Sequence, residues 1–170
     1  MSRTSDNALA VARPVIQVLI VLNILYASIV ALLLGASFFM EGWPQRPLGI
    51  ELVTTYPLAP LGLQAIIVLG LIGAGIVHTI LRRLLAIVDT VRNGDPFISD
   101  NARRLQAIAW SVLAIEVLRI VIVAIAAAVW QPGHMGGTSF TPWLSVLLLF
   151  VLARVFDEGT RMRADLEGMV

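Results

Sequence analysis

Residues 80–110 read ILRRLLAIVDTVRNGDPFISDNARRLQAIAW, the longest polar interruption in an otherwise apolar chain. The stretch holds five of the twelve basic residues, Arg82, Arg83, Arg92, Arg103 and Arg104. One apolar segment leads into it and another leads out. That arrangement is expected of a connection between two membrane helices, and its arginines assign it to the cytoplasmic side. Leu81, Leu84, Leu85, Val88 and Val91 share one helical stripe, with Arg82, Arg83, Asp89 and Arg92 off it, so the incoming helix continues past the membrane. Asn93-Gly94 is a helix stop. Asp95-Pro96-Phe97 makes a turn, and Ser99 or Asp100 can cap the next helix, with Arg103 and Arg104 three and four residues beyond Asp100.

The rest of the chain fits that reading. Of its 170 residues, 58% are hydrophobic and 14% charged, against about a quarter charged in a soluble domain. The length accommodates about four spans of ~20 residues and short loops, with no second soluble domain. There is no cysteine, which excludes disulfides, thiolate metal sites and cysteine nucleophiles. Every basic residue is arginine.

The four expected spans cover residues 15–40, 61–81, 105–130 and 140–156. Residues 1–13 are expected to form a frayed tail, or one helical from Asn7, with Pro14 at the entry to the first span, where a helix tolerates proline. Residues 15–40 are not a secretory leader, because the apolar run is too long and no cleavage site is followed by a soluble domain. Ala27, Ala31 and Gly35 repeat every four residues and offer close helix approach, as do Gly70, Gly73, Ala74 and Gly75 in the second span. Gln17 and Asn23 are expected to make interhelical hydrogen bonds. The four prolines of 41–60 mark a loop, and Trp43, Tyr56, Trp130 and Trp143 suit an outer aromatic belt. Arg154 ends a short fourth span and extends its head to the interface. Residues 157–170 read as a helical tail, with Val155, Gly159, Met162, Leu166 and Met169 on one stripe.

With the N-terminus inside, ten arginines fall on the inner side (3, 13, 82, 83, 92, 103, 104, 154, 161 and 163) and Arg46 alone on the outer side. The positive-inside rule therefore puts both termini in the cytoplasm. The same inner segments carry eight acids, so the surface is neither a nucleic-acid site nor a strong polybasic lipid patch. The fold expected is an all-α integral membrane protein of the bacterial cell membrane: a bundle of four transmembrane helices with a cytoplasmic helical loop and tail.

Chemistry-bearing residues are few. Glu116 and Arg119, three apart on one helix face, are the only buried-looking charges, and they are expected to neutralise each other in the bundle interior. The competing reading makes Glu116 the proton or substrate site of a small transporter. His78 is expected to be a structural polar partner, and His134, alone in a loop, makes no metal site. No HExxH, G-x-S-x-G or phosphate-loop motif is present, so no enzyme activity, metal or cofactor is expected.

VRNGDPFISDNARRL at 91–105, with LLLFVLARVFDEGTRMRADLEGMV at 147–170, resembles the domain-of-unknown-function family 2975, small bacterial membrane proteins that look four-spanning. The resemblance covers essentially the whole chain, and it departs at Met169, where the family usually has threonine. It supplies no catalytic residues. Members are often encoded beside a small helix-turn-helix regulator, so the resemblance implies a membrane partner for a transcription factor. The surface expected to hold such a regulator comprises Arg92, Asp95, Phe97, Arg103 and Arg104 of the loop and Met162 and Leu166 of the tail. Besides the bilayer and that regulator, a second copy of the chain is an expected partner.

Overall fold

The computed structural model describes residues 3–40, 43, 56–130 and 140–167, and side-chain surroundings from Val11, leaving out those of Ala164, Leu166 and Glu167. All of its regular structure is helical, in four elements: α1 (Arg3–Phe39), α2 (Ala59–Arg92), α3 (Ser99–Trp130) and α4 (Thr141–Glu167). Three of these are long and apolar enough to cross a membrane: Val11–Phe39 of α1, α2 and α3. At 1.5 Å per residue α2 is ~50 Å long and α3 nearly as long, so both run well past a ~30 Å hydrocarbon core. Helix α4 is continuous through the expected end of the fourth span at Phe156, so that span and the tail are one rod.

The start of α1 corrects one expectation. The helix begins at Arg3, before even Asn7, and Pro14 lies inside it rather than at its entry. Pro14 has no N–H to offer the carbonyl one turn back, and its ring is exposed.

The packing corrects another. Among the described residues α1 packs on α2, α2 on α3 and α3 on α4, and no other pair of helices meets. The helices form an open row of antiparallel hairpins rather than a closed bundle. Large apolar side chains such as Leu32 (74% exposed), Leu61 and Leu147 point outward. A water-soluble protein does not carry apolar exposure on that scale. In lipid it costs nothing, because only backbone and polar groups must be satisfied internally.

Each seam of the row is legible in its contacts. Along α1–α2, Arg13 pairs with Asp89 at 3.1 Å, Asn23 Nδ2 donates to the Ala74 carbonyl at 3.0 Å, and Gln64 Nε2 donates to Ser37 Oγ at 3.3 Å. Asn23 thus makes the expected interhelical bond, whereas Gln17 lies exposed. Along α2–α3, a Cβ at Gly62 would stand 2.7 Å from Val129 Cγ2, and one at Gly73 would stand 3.3 Å from Leu118 Cδ2. The glycine patch of α2 therefore does admit a neighbour closely. The Ala27–Ala31–Gly35 stripe does not: Ala27 and Ala31 line an open groove of about 570 Å³ with Asn23 and His78, and nothing stands within 4 Å of a Cβ at Gly35. Trp43 is buried rather than part of a lipid-facing belt, and Trp143 is exposed. The loop prolines 44 and 47, Arg46 and His134 lie outside the described residues.

Candidate functional site

The best-organised polar region is the end of the row that carries the α2–α3 turn. Helix α2 stops where the Asn-Gly pair predicts. Gly94 takes φ +88°, a left-handed conformation that a side chain would strain. The Gly94 N–H reaches the Val91 carbonyl at 3.1 Å and the Asp95 N–H reaches the Thr90 carbonyl at 3.1 Å, satisfying carbonyls that the helix end leaves free.

Asn101, completely buried, ties the turn shut. Its Nδ2 donates to Thr90 Oγ1 at 2.7 Å and to the Pro96 carbonyl at 3.0 Å, and its Oδ1 accepts from Arg104 Nη1 at 2.9 Å. The Thr90 hydroxyl donates in turn to the Ile87 carbonyl at 2.7 Å. Both amide donors and the amide oxygen are thereby used, as burial demands. Helix α3 already begins at Ser99, with the Asn101 N–H on the Ile98 carbonyl at 2.9 Å, so neither Ser99 nor Asp100 serves as its cap. Asp100 pairs instead with Arg103 in the first turn.

The turn docks on α4. The Phe97 ring lies 5.3 Å from that of Phe156, and a Cβ at Gly159 would come within 3.1 Å of Phe97 Cδ1. Any side chain at 159 would press on Phe97. Asp95 forms an ion pair with Arg163, whose guanidinium donates to the carboxylate. The face of α4 toward the turn is thus Phe156, Gly159 and Arg163. Gly159 is shared with the expected stripe, whose neighbours Val155 and Met162 lie to one side of it, about 60% exposed. Helical offset explains the shift, since adjacent residues point ~100° apart and a one-residue change of face exchanges a contact surface for a solvent surface.

The other expected residues divide. Asp95 and Phe97 meet α4, Arg104 joins Asn101, Arg103 and Arg92 stay exposed, and the side chain of Leu166 lies outside the described residues. Arg83 does something sequence reasoning missed. Instead of facing solvent, it crosses to α3, where Nη1 donates to the Ala107 carbonyl at 3.0 Å and to Ser111 Oγ at 3.2 Å. A hydroxyl at 111, opposite an arginine of the preceding helix, was the available signal.

Deeper in the row, Arg119 Nε donates to Glu116 Oε2 at 2.9 Å. The carboxylate is buried, whereas the Arg119 side chain is 42% exposed, so the pair forms but only its acid faces inward. Among the described residues no group of three or more histidines and acids could hold a metal. The arrangement offers two things: a rigid, mixed-charge end surface and one neutralised intramembrane ion pair.

Comparison with known proteins agrees with the sequence motifs. No curated protein and no solved structure matches the chain. Residues 41–170 match the family model described as Protein of unknown function (DUF2975). The match takes in α2, α3 and α4, and the chain belongs to that family.

Proposed function

We propose that the chain crosses the bacterial cell membrane four times, with both termini and the 93–98 turn in the cytoplasm, and serves as a membrane-bound regulatory partner. Its working surface is the turn together with the last third of α4, and its partner is a cytoplasmic regulator protein. The orientation rests on the ten-to-one arginine asymmetry. The fourth span is the apolar part of α4, 141–156, which is short and ends beside Arg154.

One observation carries the regulatory reading: the turn and α4, separated by some sixty residues of sequence, are clasped by Phe97 against Phe156 and Gly159 and by Asp95 with Arg163. A tail helix of ~12–15 residues is marginal on its own in water. Here it is prolonged from a membrane rod and braced by the turn, so it meets a partner already ordered. Val155 and Met162 remain uncovered beside the brace, and the charges around them have both signs, which favours a protein partner over anionic lipid alone. The transport alternative has less support, because Glu116 is the only acid in the four apolar stretches and is already engaged by Arg119.

The test compares transcript profiles of cells carrying the full-length chain, a chain lacking 157–170, or Met162→Glu, at matched membrane abundance. Both variants are expected to reproduce the profile of cells lacking the gene. Profiles identical to the full-length strain would make the tail a passive end and defeat the proposal.

A further inference from the structure

Between α3 and α4, at the same end as the turn, lies a cavity of about 260 Å³. Its floor is apolar, made by Ala102, Phe150 and Ala153. Arg103 and Gln106 of α3 line one side, and Arg154 and Asp157 of α4 line the other. One turn further along α3, the exposed Trp110 ring meets Phe150 edge-on at 5.3 Å.

Arg154 is the unusual member. It interrupts LLLFVLARVF, with apolar residues before and after it. Its nearest carboxylate, Asp157, is 3.9 Å away, too far for a hydrogen bond, and its side chain is 75% exposed. An arginine at the edge of an apolar stretch extends its head to the headgroup layer and needs acceptors there. Across the crevice Arg103 pairs, among the described residues, with Asp100, in an equally exposed pair within its own helix. Exposed pairs of that kind are weak. The two acids cancel most of the net charge, so attraction by field alone is small. Two arginines lining one cavity from facing helices instead favour an acceptor with several oxygens, and phosphate accepts from a guanidinium in bidentate fashion.

We propose that this crevice binds the phosphodiester headgroup of an anionic phospholipid, with Arg103 and Arg154 on the phosphate, Gln106 on a headgroup hydroxyl, and an acyl chain running over Trp110. The proposal rests on α4 being a span and is independent of the regulatory role. Basic clefts between spans on the cytoplasmic side are suited to such headgroups.

Native mass spectrometry of the full-length protein in detergent tests it, with phosphatidylglycerol, phosphatidylcholine and inorganic phosphate as probes. Phosphatidylglycerol is expected to bind at least tenfold more tightly than phosphatidylcholine. Arg103→Ala with Arg154→Ala should erase that preference, and Arg161→Ala should keep it. Gln106→Glu changes an exposed position and should weaken phosphatidylglycerol binding several-fold with the fold intact, which covers the case of an unstable double variant. Equal binding of the two lipids, a preference that survives in the double variant, phosphatidylglycerol binding unchanged in Gln106→Glu, or displacement of lipid by millimolar inorganic phosphate would each overturn the proposal. The last outcome would assign the cavity to a soluble phosphate.

Discussion

The two seams of α2 solve the same problem differently. Against α1 it relies on separate polar links, Arg13–Asp89, Asn23–Ala74 and Gln64–Ser37, with an open groove beside them. Against α3 it relies on contact: Gly62 under Val129, Gly73 under Leu118, then the Arg83 and Asn101 hydrogen bonds at the turn end. Lipid tails are as apolar as leucine, so burying leucine against leucine gives neighbouring helices no preference for each other over lipid. What holds a seam is backbone approach or a hydrogen bond, and the two seams of α2 weight these differently.

If that contrast is right, substitutions should rank by seam. Gly62→Leu should have the largest effect. Val129 is β-branched with its Cβ only 3.3 Å from the new atom, so it cannot swing clear. Overpacking of this kind costs ~1–3 kcal/mol or more. The midpoint of dodecyl-sulfate unfolding in mixed micelles, followed by circular dichroism, should fall accordingly. An unchanged midpoint would mean that the α2–α3 seam is looser than its geometry.

Asn101→Leu comes next. It strands the Pro96 carbonyl and releases Arg104, and an unmet buried polar group costs ~1–3 kcal/mol. The same unfolding assay should register it. Proteolysis at the 93–98 turn should also accelerate, because the knot that closes the turn is gone. Unaltered proteolysis would show that docking on α4 alone holds the turn.

Asn23→Leu, in the α1–α2 seam, should cost least, since interhelical hydrogen bonds in membranes average ~0.6 kcal/mol. Gly75→Ala is its partner test. Nothing stands within 4 Å of that Cβ, so alanine should be neutral or stabilise the helix by up to ~1 kcal/mol. If Gly75→Ala proved as harmful as Gly62→Leu, the contrast between seams would fail.

Sequence reasoning reached the helices and the turn because those are local properties. Long apolar runs locate α1, α2 and α3, and Asn93-Gly94 ends α2 through its own backbone conformation. It misplaced Pro14 because proline at a helix start and proline on the exposed face of a longer helix leave the same local trace. It expected a closed bundle because a face toward lipid and a face toward a helix have the same composition. Asp95 and Phe97 could be chosen as surface residues, but Arg163 could not be chosen as their counterpart, because the pairing depends on how α3 and α4 align. Gly159 was noticed as a member of a stripe, whereas its structural role is to make room for Phe97.

The open row has a consequence for synthesis. Among the described residues each helix touches only its neighbours in the chain, so every seam can close as soon as the later of its two helices leaves the ribosome. No early helix has to wait, unpaired, for a distant one. Loop-closure cost stays low throughout, which favours rapid and orderly assembly. The clasp of the turn on α4 is the exception: Asp95 and Phe97 must wait for Arg163 and Phe156, some sixty residues later. The clasp at the turn therefore closes only once α4 has been made, and a product truncated before Phe156 would insert its earlier helices without ever presenting that end surface.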